Sequence, residues 1–174
     1  MLDKTYGNLQ YMEEFSFSVL NISLLKDKGE KRLEFAVIEE FNDSQIQEIY
    51  FLFKNEWWTK KREFSEVKEL ISNSGVVIGV INNKTSELVG FARAITDSLY
   101  RAFIFDVITK QQYRKSGIGL LLMDSLLSHS KIVNVDRVEL YCPDSLIPYY
   151  EQFGFSTDVN GSTLMRLKNI QECH

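Results

Sequence analysis

The chain has 174 residues, 44% of them hydrophobic and 13% aromatic, and a formal net charge of −4. This suits one globular domain with a real core and excludes a disordered polymer; the acidic balance argues against nucleic acid and fits, weakly, a cationic amine substrate. Two Cys and two His without zinc spacing imply neither a metal nor a disulfide framework, and no apolar run reaches the ~20 residues of a membrane span.

Residues 1–31 are the least legible part and are read as an N-terminal extension, with Phe15, Phe17 and Val19 alternating as in a strand and a polar turn over Lys26–Glu30. Asp3 and Lys4 without an apolar h-region give no signal peptide, so a cytoplasmic protein is expected. The domain is placed at 32–170. Leu33, Phe35 and Val37 alternate as a first strand. Ser44 and Gln47 have the spacing of a capping box, with Asp43 beside them, and Ile46, Ile49, Tyr50 and Phe53 follow as one helical stripe. A second short helix is expected near Ser65, with Val67, Leu70 and Ile71 turned inward. Gly75–Ile81 is an apolar strand, Asn82–Thr85 a hairpin turn, Leu88–Ile95 the next strand, and Tyr100–Ile108 the long central one. A helix then runs to about Ser130, Arg137–Tyr141 is a strand and Leu146–Gln152 a short helix. Closing strands are expected at Phe155 and Thr163–Leu167. Consecutive hairpins followed by a β-α-β unit predict an α/β fold with a mixed sheet and helices on both faces.

The segment Asp106–Gly119 carries the most chemical information. An apolar strand ends, a short basic loop follows, and Gly117 and Gly119 open a helix whose apolar positions are Ile118, Leu121, Leu122 and Leu126. The first N–H groups of a helix have no intrahelical partner and carry the positive end of its dipole, so this end suits a phosphate or pyrophosphate. Neither the G-x-x-x-x-G-K-[ST] loop nor G-x-G-x-x-G is present; what stands is R-x-x-G-x-G, from Arg114 to Gly119. Taken alone it is equally a tight turn.

About thirty residues on stands Pro148-Tyr149-Tyr150-Glu151-Gln152-Phe153-Gly154-Phe155. With it, the chain resembles the GCN5-related N-acetyltransferase (GNAT) superfamily over residues 33–168. Asp106–Leu120 is similar to that superfamily's acetyl-CoA segment, and Pro148–Phe155 to its F-Y-E-K-x-G-F signature. The strand Val89–Arg93 with Thr96-Asp97, and a Trp pair before the second helix, add to the likeness. Gln111 stands where many members have Pro and Lys115 where many have Gly, and neither removes a backbone donor.

The resemblance implies a central strand splayed from its neighbour, with the pantetheine arm of acetyl-CoA paired to the backbone of Val107, Ile108 and Thr109. It implies a pyrophosphate held by the loop Arg114, Lys115, Ser116, Gly117, Ile118, Gly119 and Leu120. The N–H near Ile108 would serve as oxyanion donor for the thioester. Tyr150 takes the place of the signature tyrosine, whose phenol protonates or stabilises the leaving thiolate; by residue type alone it is more often a packed tyrosine with its hydroxyl satisfied. The general base stays open among Asp106, Glu39, Glu40 and a water chain. His129, late in a helix, lies away from the expected cleft. Trp57 and Trp58 wall the acceptor site in this family, or divide between core and surface. Arg93 pairs with an acceptor carboxylate or with Asp97. Cys142 is read as a packed thiol.

The expected activity is acetyl-CoA-dependent N-acetylation by direct attack of a small primary amine, without metal. A peptide or protein acceptor, or a non-catalytic acyl-CoA-binding regulatory module, are the alternatives, and a homodimer is compatible with the sequence.

Overall fold

The computed structural model describes residues 34–167, which divide into two compact units, one running to Leu140 and the other from Tyr141. The N-terminal extension read over residues 1–31 lies outside the described residues, as do Cys173 and His174.

The first unit is a five-stranded sheet in the order β1-β2-β3-β4-β5. Its strands are β1 (Phe35–Ile38), β2 (Val76–Asn82), β3 (Leu88–Thr96), β4 (Arg101–Thr109) and β5 (Arg137–Leu140). β1 to β4 pair antiparallel in chain order, β2-β3 and β3-β4 as hairpins, and β5 joins β4 in parallel, so the sheet is mixed as expected. The helices are α1 (Asp43–Lys54), α2 (Phe64–Ser72) and α3 (Ile118–Ser128). Adjacent strand residues point to opposite faces. Phe91 of β3 packs in a cluster with Ile49, Leu52 and Phe53 of α1 and Val67 of α2. A Cβ on its neighbour Gly90 would meet Ile118 and Leu122 of α3 instead. Thus α1 and α2 cover one face and α3 the other.

Local signals formed the elements, with corrections at their edges. The predicted stripe Ile46, Ile49, Tyr50 and Phe53 lies on α1, with Ile49 and Phe53 fully buried. The cap, however, is Asn42 with Gln45, not Ser44 with Gln47: Gln45 N–H donates to Asn42 Oδ1 at 2.9 Å and Asn42 N–H to Gln45 Oε1 at 2.9 Å. Both pairs have the right spacing, and the earlier one brings Asp43 into the first turn. In β1 the alternation is weaker than read, since Val37 is exposed. Asn82 Oδ1 accepts from the Lys84 and Thr85 N–H groups to close the first hairpin. Asp97 Oδ1 accepts from Leu99, Tyr100 and Arg101 to close the second.

The second unit holds α4 (Ile147–Glu151), preceded by a 3-10 turn over Asp144–Leu146. Pro148 falls in the first turn of α4, where its missing N–H costs nothing. The closing strands expected at Phe155 and Thr163–Leu167 are not formed: these residues have no regular structure. Leu164, Met165 and Leu167 are exposed, so their apolar alternation finds no sheet to pack on.

Candidate active site

β4 changes character halfway along. Its parallel pairing with β5 ends at Ile104↔Leu140, so among the described residues Phe105–Thr109 has no strand beside it on that edge. The register against β3 slips at the same point, from Arg93↔Phe105 to Phe91↔Ile108. One residue of β3, Ala92, there opposes two of β4, Asp106 and Val107, which is a β-bulge. Asp106 sits in it with φ +55°, a left-handed conformation that Asp tolerates better than most residues. The bulge and the early end of β5 leave a short edge of backbone N–H and C=O groups. Such an edge takes up an extended, amide-bearing chain as a strand would.

The strand leads into the basic loop. Lys110 starts a 3-10 turn over Gln111–Tyr113, and α3 begins after Gly117. Lys115 and Gly117 both have positive φ, +66° and +91°. The lysine therefore takes the conformation for which glycine would be the natural choice at that position, at a cost of about 1–2 kcal/mol. Gly117 offers no capping side chain, so the first N–H groups of α3 are not capped by it. The close approach at Gly90, where a Cβ would come within 2.7 Å of Ile118 Cγ2, lets the start of α3 sit tight against β3. Acidic anchors fix the loop's two ends. Glu87 binds the Lys110 ammonium and accepts from the Tyr113 hydroxyl at 3.0 Å. Glu56 binds the Arg114 guanidinium, whose Nε also donates to Thr109 O at 3.4 Å.

A cleft of about 420 Å³ opens between the end of α1 and this loop, lined by Leu52, Asn55, Glu56, Ile108, Thr109 and Arg114 among others. Ile108, expected as the oxyanion donor, lies on its wall. Glu56 was not foreseen: it stands at the end of a helix in a polar run, and only the fold buries it at 8% exposure.

Asp106, a candidate base, is nearly fully buried and held from both sides. Arg62 makes a bidentate contact, Nη1–Oδ2 2.9 Å and Nη2–Oδ1 3.0 Å, and Arg93 Nε donates to Oδ2 at 2.7 Å. Two guanidiniums on one carboxylate hold the bulge in place and occupy both of its oxygens. Arg93 thus pairs with Asp106 rather than with Asp97; it also packs its guanidinium over the Phe105 ring. Trp57 and Trp58 meet edge to face at 5.7 Å and are 74% and 49% exposed, so neither fills the core. Both rings are available to a ligand. His129 is engaged through Nδ1, which accepts from the Lys131 N–H, and its Nε2 lies 3.6 Å from Glu39.

In the second unit Tyr150 is buried, with Phe155 edge-on to its ring. Burial, helped by Cys142, pushes its phenol up to about 12, so it stays protonated at neutral pH. Burial and the neighbouring Asp144 push the Cys142 thiol up as well, which keeps it from acting as a thiolate nucleophile. Among the described residues no group of His, Cys, Asp or Glu could hold a metal ion, and no helix is long and apolar enough to cross a membrane.

The same fold recurs in known proteins. The chain is 28% identical over 159 residues to the uncharacterized N-acetyltransferase ycf52 of Pyropia yezoensis, covering 89% of each chain. It is 25% identical over 101 residues to the chloroplastic GCN5-related N-acetyltransferase 1 of Arabidopsis thaliana, covering 58% of this chain and 51% of that protein. Its fold superposes on a crystallised GNAT-family protein of Xanthomonas campestris pv. campestris with a TM-score of 0.68 at 23% identity, covering 81% of this chain and 96% of the other. The model of the acetyltransferase (GNAT) family matches residues 25–155, a span that takes in the sheet, the loop and the Tyr150 segment, and the chain belongs to that family as an acetyltransferase.

Proposed function

We propose that this protein transfers the acetyl group of acetyl-CoA to a small primary amine by direct attack. The observation that carries the reading is the open half of β4, followed through one 3-10 turn and the basic loop by a helix start that no side chain caps. The edge from Val107 to Thr109 offers backbone partners to the amides of the pantetheine arm, and the loop from Arg114 to Leu120 offers N–H groups to the pyrophosphate. The neutral amine attacks the thioester carbonyl, and a backbone N–H near Ile108 on the open edge receives the developing oxyanion. The carbon–sulfur bond then breaks, the electron pair leaves on sulfur, and the extra proton on the attacking nitrogen passes to solvent water. Tyr150 is the group proposed to steady that thiolate. A phenol displaced to about 12 is a weaker acid than a thiol near 8.5, so hydrogen-bond donation is favoured over full proton transfer.

The test is a thermal melt. Acetyl-CoA at one hundred times Kd should stabilise the protein by about 2.7 kcal/mol, and ATP or NAD at equal concentration by much less. Gly117→Val should abolish the acetyl-CoA shift, because a β-branched residue at φ +91° cannot keep the loop. Equal shifts with all three ligands, or an unchanged shift in the variant, would overturn the assignment. Thiol release across an amine panel then separates turnover from mere cofactor binding. The chloroplastic relative favours a plastid compartment over the cytoplasm as the place of action, which a fluorescent fusion would decide.

A further inference from the structure

Among the described residues two buried carboxylates stand near the splay, and they are held differently. Asp106 has three bonds from two arginines that are themselves largely buried, which is a fixed structural cluster. Glu56 has a side chain 10% exposed and, among the described residues, one ion-pair partner, Arg114, whose own side chain is 54% exposed. A buried carboxylate needs a cation, because an unpaired one is costly to desolvate. Arg114 supplies that cation from the surface, on a long flexible stem, and so is exchangeable. The other cation on the cleft wall, Lys110, is already held by Glu87. Glu56 also shares the cleft with Ile108 and Thr109 and is followed directly by the exposed Trp57–Trp58 pair.

We infer that Glu56 is the subsite for the acceptor's ammonium group and that Arg114 is its placeholder when no cofactor is bound. This rests on the cofactor reading above. The pyrophosphate of an incoming acyl-CoA draws Arg114 to itself, since both lie on the loop before α3. Glu56 is left as a buried carboxylate without a cation, facing the cleft, and the two residues that follow it in the chain are exposed indoles. A primary alkylammonium fits both features, the charge meeting the carboxylate and the carbon chain lying against the rings, and it gives up one proton to water before the neutral amine attacks. Acceptor binding therefore follows cofactor binding.

Two measurements test this on the full chain. Acetyl-CoA affinity, by calorimetry, should tighten in Glu56→Gln, because Arg114 no longer has a competing partner. It should weaken in Arg114→Gln, and adding Glu56→Gln to that variant should then change nothing. Butylammonium chloride is the second probe, followed by the fluorescence of Trp57 and Trp58, the two tryptophans of the chain. It should bind CoA-saturated wild-type protein and bind Glu56→Gln about tenfold or more weakly, with Glu56→Asp recovering part of the loss. Independent, additive effects of the two substitutions on acetyl-CoA affinity would overturn the exchange. Equal butylammonium binding by wild type and Glu56→Gln, or none by the CoA-saturated wild type, would overturn the subsite. Failure of wild-type protein to bind acetyl-CoA at all would instead remove the cofactor reading, and this inference with it. A melt of Glu56→Gln separates a folded variant from a collapsed one, and Glu56→Asp, which keeps the charge, carries the test if the glutamine variant does not fold.

Discussion

Replacing Asp106 with Asn separates an anchor from a base. Asn has nearly the same volume and tolerates the left-handed φ of +55°, so the bulge keeps its backbone geometry. The substitution removes the charge that holds two guanidiniums, Arg93 at 10% side-chain exposure and Arg62 at 26%. Breaking a buried ion pair on one side costs about 3–5 kcal/mol, since the orphaned charge stays desolvated. Arg62 can reach water, so the lower end applies, about 3 kcal/mol. For a chain of this size each kcal/mol moves Tm by about 2–4 °C, which predicts a fall of about 6–12 °C. The assay is a paired one: a calorimetric melt of Asp106→Asn, and its turnover with acetyl-CoA and the best amine of the panel at a temperature where the variant is folded. Anchoring predicts a large stability loss, and whatever activity is lost should accompany displacement of the β4 edge, seen as weaker acetyl-CoA binding. A variant with Tm within about 2 °C of wild type, normal acetyl-CoA affinity and kcat down by the ~10² to 10⁴ of a lost acid–base group would refute the reasoning and return Asp106 to the base.

Gly90→Ala should destabilise by about 1–3 kcal/mol, because its methyl would lie 2.7 Å from Ile118 Cγ2 and 3.1 Å from Leu122 Cδ1; acetyl-CoA affinity should weaken too, as the start of α3 is pushed away. A melt showing a gain in stability would mean that the helix does not approach the sheet so closely. Tyr150 has a folded pKa raised to about 12 from an ordinary 10, so its contribution is fully present below pH 10 and is lost as pH climbs towards 12. Tyr150→Phe lacks that titration, so urea melts should show wild type losing stability relative to the variant across this window; parallel curves would count against the burial of the phenol. The same variant should keep acetyl-CoA affinity and lose kcat if the hydroxyl serves the leaving thiolate.

The periodicities in this sequence determined its local elements, because they depend only on neighbours a few residues apart. Ile46, Ile49 and Phe53 recur at helical spacing and became the buried stripe of α1; the strand–loop–glycine order from Asp106 to Gly119 became the end of β4, the turn and the start of α3. Which of two equally spaced caps starts α1 was not so determined, since Asn42–Gln45 and Ser44–Gln47 satisfy the same local rule. The site's electrostatics depend on partners far apart in the chain: Arg62 reaches Asp106 across 44 residues and Glu56 reaches Arg114 across 58. No spacing rule links such pairs. They meet because the α1–α2 connection crosses over β4, and that same crossing buries Glu56 while leaving Trp57 and Trp58 in solvent. The apolar residues Leu164 to Leu167 make the converse case. They have a strand's composition, but a strand forms only where a neighbouring edge accepts its hydrogen bonds, and the described structure provides none there.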